Sequence, residues 1–174
     1  MLNTVRSWLG LTEAQAPDHS PLREVVDALD RLEPERARYL ARFAYLLGRV
    51  AHADRHVSPE ETAAMEAMVR AEGQLSSDQA MLVVSLAKSS NALFGGTADF
   101  TVAQEFNETA TYEEKLALAR CLFAVGATDA SISLAEESEI HRITNHLKID
   151  RADLTAIRLQ HRQALPGIAR PGGE

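Results

Sequence analysis

Asp54–Glu61 reads DRHVSPEE, and the string returns in altered form as DASISLAEE from Asp129 to Glu137. Each copy runs Asp, two residues, a β-branched apolar residue, Ser, two residues, Glu. Asp54 pairs with Asp129, Val57 with Ile132, Ser58 with Ser133 and Glu61 with Glu136, all at one offset of 75. The apolar residues before the motif follow the same offset, since Phe43, Leu47 and Val50 match Leu118, Leu122 and Val125. The chain therefore reads as two related halves, each a helix, a motif loop and a capped second helix followed by a third.

The fold class follows from the flanks of the motif. Ser58-Pro59-Glu60-Glu61 is a helix start: Ser accepts at the cap, Pro suits the first turn, and Glu at the third helical position reaches back to the cap amide. Ser76-Ser77-Asp78-Gln79, Thr111-Tyr112-Glu113-Glu114 and Asp150-Arg151-Ala152-Asp153 repeat that logic. Between the caps, apolar residues recur at spacings of three and four, as in Leu22, Val25, Val26, Leu29 and Leu32, the stripe of an amphipathic helix. Gly73 ends one such stretch. SSNALFGGTA, within 89–98, reads as the main central loop because of its paired glycines. These signals predict an all-α, single-domain bundle of about seven to eight helices in two pseudo-symmetric halves, about 21–90 and 99–163. Residues 1–20 read as an amino-terminal segment and linker, and 164–174, rich in Pro and Gly, as a loose tail.

Composition agrees with one helical domain. The 174 residues are 45% hydrophobic and only 5% aromatic, enough for one filled core. A net charge of −7 excludes general phosphate-backbone binding, which needs clustered Lys and Arg. The single cysteine, Cys121, lies in an apolar run, so it reads as a core thiol and rules out an intramolecular disulfide. No apolar run approaches the roughly 20 residues of a membrane span. The amino-terminal sequence has no secretory pattern, and the expected location is the cytoplasm. Met1–Leu11 carries Leu2, Val5, Trp8 and Leu9 on one side of a short helix. Packing on the domain itself is the favoured reading of that stretch, with peripheral membrane association or a partner groove as alternatives.

The motif also matches the back half of a calcium loop. Asp54, Val57, Ser58 and Glu61, and likewise Asp129, Ile132, Ser133 and Glu136, fall at the fifth, eighth, ninth and twelfth positions of an EF-hand. The front half is missing: Val50 and His52, then Val125 and Ala127, stand where oxygen ligands belong. Arg55 and Ala130 stand where Gly makes the turn. A divalent ion, calcium or zinc, could be held only if the two motifs met and pooled Asp54, Glu61, Asp129 and Glu136, with Glu60 and Glu137 in reserve. His52 and His56 flank Asp54 and are weaker metal candidates. The structural alternative is that Ser and Glu are simply helix caps and the histidines helix-end residues. Tyr39, Tyr45 and Tyr112 read as structural, and His141, His146 and His161 as surface or boundary residues. No phosphate loop, Gly-x-Ser-x-Gly elbow or His-Glu-x-x-His pair is present, so the chain is expected to be no enzyme.

HADRHVSPEETAAM, LFGGTADFTVAQEF and LARCLFAVGATDASISLAEESEIHRITNHLKI together resemble the TerB-like tellurite-resistance family, related to the N-terminal domain of a membrane-anchored DnaJ-like co-chaperone. The resemblance runs from about residue 22 to 160. It implies a helical bundle of two similar halves with an acidic, metal-binding surface, acting in stress response or membrane-associated complexes without enzymatic activity. Carried over, the acidic positions are Asp54, Glu61, Asp129 and Glu136, while the family's usual Gly is here Arg55 and Ala130. Two functions follow as expectations: a metal-responsive module, or a helical scaffold that binds protein partners without metal.

Overall fold

The computed structural model describes residues 21–51, 59–94, 99–127 and 131–161. These residues form eight α-helices: α1 Pro21–Asp30, α2 Pro34–Ala51, α3 Pro59–Gly73, α4 Ser77–Phe94, α5 Asp99–Thr109, α6 Tyr112–Gly126, α7 Leu134–His146 and α8 Arg151–Gln160. The described part is all helical, as the spacing of apolar residues and caps predicts.

The starts are where local chemistry puts them. The Thr111 hydroxyl accepts from the Glu114 amide at 3.2 Å, and the Glu114 carboxylate accepts from the Thr111 amide at 2.8 Å, closing a capping box at α6. Ser76 Oγ accepts from the Gln79 amide at 3.2 Å, but the Gln79 side chain turns away to accept from Arg36 of α2. At α8, Asp150 makes no side-chain cap. Instead its amide donates to the Tyr112 hydroxyl at 3.1 Å, which donates to Asp153 at 2.6 Å and so ties α8 to the start of α6.

One element is longer than the sequence predicts. The stretch from Ser89 reads as loop, yet α4 continues to Phe94. Ser89, Ser90 and Asn91 are only mildly helix-averse, and the helix is described up to the residue before Gly95-Gly96.

Among the described residues, two non-glycine residues have left-handed backbones, Gln74 at φ 55° and Lys148 at φ 52°. Each follows the helix after its motif copy, α3 or α7, and precedes an apolar residue and the next helix start, as Gln74-Leu75-Ser76 and Lys148-Ile149-Asp150. The repeat thus extends into backbone conformation.

The packing shows how the halves combine. α2 and α6, the matching helices, lie side by side at the centre. α3 of the first half packs on α6 of the second, and α7 of the second packs on α2 of the first, the exchange expected of a pseudo-two-fold. α4 covers α2 and α8 covers α6, while α5 bridges α2 and α7. The core between them includes Leu40, Phe43, Leu47, Leu118, Leu122 and Ile140, all fully buried. Tyr39 stacks on Phe106 at 5.6 Å and tilts against Phe43 at 5.9 Å, so this tyrosine is structural. Arg42, 9% exposed, reaches from α2 to Glu105 at 3.1 Å and Thr109 at 3.3 Å on α5.

Candidate metal centre at the motif end of the bundle

The motif copies follow α2 and α6, so the direction of those helices decides whether the copies share an end. Arg49, in the last turn of α2, lies 3.8 Å from Glu139 of α7. Gly126, the last residue of α6, sits against Ile140: a Cβ built on it would lie 3.5 Å from the Ile140 Cδ1. Neighbouring residues of α7 therefore touch the C-terminal ends of both α2 and α6. The chain leaves α2 at Ala51 and α6 at Ala127 on the same end of the bundle.

The second copy is visible from Ser131 onward. Ser133 has an extended backbone, φ −68° and ψ 160°, which lets its hydroxyl accept from the Glu136 amide at 3.2 Å. The Glu136 carboxylate accepts from the Ser133 amide at 2.7 Å. Glu136 is buried, at 7% exposure, and one of its oxygens is committed to this cap. Ile132 is buried against Gly126, which brings the motif's apolar position into the core. Glu137 accepts from Arg158 of α8, with Nε at 3.1 Å, and so braces α7 to α8.

Ser133 and Glu136 thus do what the capping reading requires. Asp54, Asp129, His52, His56 and Ser58 lie outside the described residues. Glu61 stands in the first turn of α3, its side chain likewise outside them. Among the described residues no group of three or more His, Cys, Asp or Glu could hold a metal ion. The reserve carboxylates differ: Glu60 is exposed, whereas Glu137 is occupied by Arg158.

Other chemistry-bearing residues resolve as structural. Cys121 is fully buried beside Gly73, and burial, helped by Glu72, pushes its thiol up to about 12. His141 is exposed, and His146 meets the Arg142 carbonyl at 2.9 Å. His161 is half-buried, the boundary position its sequence reading gives it. Its ring stacks on the buried Phe123, with centroids 6.2 Å apart and planes at 9°. Nothing local signals that contact, because it joins the end of α8 to the last turn of α6.

The family profile for tellurite resistance protein TerB matches residues 40–159, from α2 through α8 and across both motif copies. The chain belongs to the TerB family. No curated protein and no solved structure matches this TerB chain. Among its described residues no helix is long and apolar enough to cross a membrane.

Proposed function

We propose that this TerB protein is a non-catalytic module of tellurite or metal-ion stress response that holds a divalent cation at the motif end of its bundle. The observation that carries the reading is the shared end, fixed by Arg49 against Glu139 and Gly126 against Ile140. Each motif alone supplies only half of a calcium loop's ligands, so a site needs carboxylates from both, and both helices deliver the chain to one place. Asp54 and Asp129 are the principal ligands, because helix capping does not call for them. Glu61 joins them. Glu136 contributes least, since its carboxylate already holds the Ser133 amide. His52 and His56 neighbour Asp54 and would favour zinc over calcium.

Titration calorimetry of the purified chain with calcium, zinc and magnesium tests the reading. Saturable uptake of one of them, lost in both Asp54→Asn and Asp129→Asn, is the expected result. Absence of heat with all three ions rejects it.

A further inference from the structure

We infer that α8 is a releasable strap: it undocks from α6 as one unit while the other helices stay folded, and its release uncovers the flank of the second motif copy. The strap works in this way whether or not a cation binds at the motif end.

The two halves hold their third helix very differently. α4 and α8 occupy matching places in the repeat, each following a left-handed residue and an apolar one. α4 is 18 residues long and buries Ala80, Val83, Val84, Leu86 and Ala87. α8 is 10 residues long and buries only Ile157, with Leu154 half-buried. Apolar burial is the main term that ties a helix to its neighbours, and α8 has little of it.

The rest of its attachment is formed by side chains near water. α8 runs alongside α6, from Tyr112 at the start of that helix to Phe123 in its last turn. Tyr112, 38% exposed, holds Asp153 and receives the Asp150 amide at the beginning of α8. Arg158, its side chain 43% exposed, donates to Glu137 of α7. His161, half-buried, closes the far end by stacking on Phe123. Exposed hydrogen bonds and ion pairs contribute little net, because water replaces them on release. Few buried apolar contacts and solvent-exposed ties place an element at the low end of a protein's local opening free energies.

Two of the three ties adjoin the second motif copy. Glu137 directly follows the Glu136 of the capping box, and Phe123 lies one turn before the residues that lead into the motif. Release of α8 withdraws the Arg158 charge from Glu137 and lifts His161 off Phe123. A carboxylate and an aromatic face are thereby uncovered together, which gives the strap a consequence at the motif end.

Native-state hydrogen exchange of the full chain, read amide by amide by NMR across low urea concentrations, tests the strap. The amides from Leu154 to Gln160 are expected to share one opening with a shallow urea dependence, about a hundredfold or more easier than the opening of Leu40 to Leu47 in α2. Tyr112→Phe removes the clasp hydroxyl and should speed exchange throughout α8 about threefold or more. Val83→Ala, in α4, should speed exchange in α2 and α4 and leave α8 unchanged, because the contacts of Val83 persist when only the strap is open. Equal protection and equal urea dependence of α8 and α2 in the natural chain would overturn the proposal. So would protection that only fades residue by residue toward Gln160, which is end fraying, or a Val83→Ala variant in which α8 accelerates as much as α2.

Discussion

The guanidinium of Arg49 on α2 and the carboxylate of Glu139 on α7 lie 3.8 Å apart and join the first half of the chain to the second. Each side chain is about a quarter exposed, so the ion pair is partly screened, and truncating an arginine buried to that extent removes stem packing as well as charge. Arg49→Ala is expected to cost about 1–2 kcal/mol, mostly through packing. In a double-mutant cycle with Glu139→Ala the coupling should not exceed about 1 kcal/mol. Urea unfolding of the four proteins measures it, and 1 M salt should shrink the coupling while leaving the packing loss.

The capping box at α7 separates stability from ion binding. Ser133→Ala removes the acceptor for the Glu136 amide and should cost about 1 kcal/mol. Glu136→Gln keeps an acceptor for the Ser133 amide and should cost less than half of that. In the cation titration, Glu136→Gln should weaken uptake less than Asp54→Asn or Asp129→Asn does. Equal losses from all three would mean that the Glu136 carboxylate turns from its cap to the ion.

These local devices are what a sequence shows best. The Thr111–Glu114 and Ser133–Glu136 boxes depend on residues three apart, and the stripes of α1 and α2 on residues three and four apart, so one-dimensional spacing contains them. Arg49–Glu139, Arg158–Glu137 and Phe123–His161 join residues whose separation follows from how helices cross, and no periodicity carries that. The looser contact of α7 with α8 than of α3 with α4 is of the same kind. Their caps and apolar spacing resemble those of α3 and α4, and only the packed side chains distinguish an open pair from a closed one. The continuation of α4 to Phe94 was hidden for a different reason: weak helix formers in 89–91 and the paired glycines after Phe94 together look like loop.

Gln74 and Lys148 sit in left-handed conformations that cost a residue with a Cβ about 1–2 kcal/mol. Glycine avoids that cost but loses more freedom on folding. Gln74→Gly and Lys148→Gly are each expected to raise stability by about 0.5–1 kcal/mol, and valine at either position to lower it. Thermal melts of the four variants check the sign, which must be opposite for glycine and valine.

Cys121 offers a chemical reporter of opening. Its thiol is fully buried and pushed up to about 12, so thiolate is scarce at neutral pH and reagent has no access. Labelling by a disulfide reagent should be slow in the native protein and should accelerate along the urea transition measured by circular dichroism. Rapid labelling without denaturant would show that α6 opens locally from α3.

His161 makes stability depend on pH in a stated direction. Burial lowers its pKa in the folded chain, with Glu72 pulling the other way, whereas the unfolded imidazole titrates near 6.5. Below that value the unfolded chain binds this proton more readily than the folded one, so stability rises with pH. The contribution is present above about pH 6.5 and is lost as pH falls from there through the lowered folded value. His161→Phe keeps a ring against Phe123 and removes the titration. Urea midpoints followed from about pH 7.5 to 5 should therefore fall less steeply for His161→Phe than for the natural chain. Parallel curves would show that the stack is open to water and that the imidazole is protonated without being displaced from Phe123.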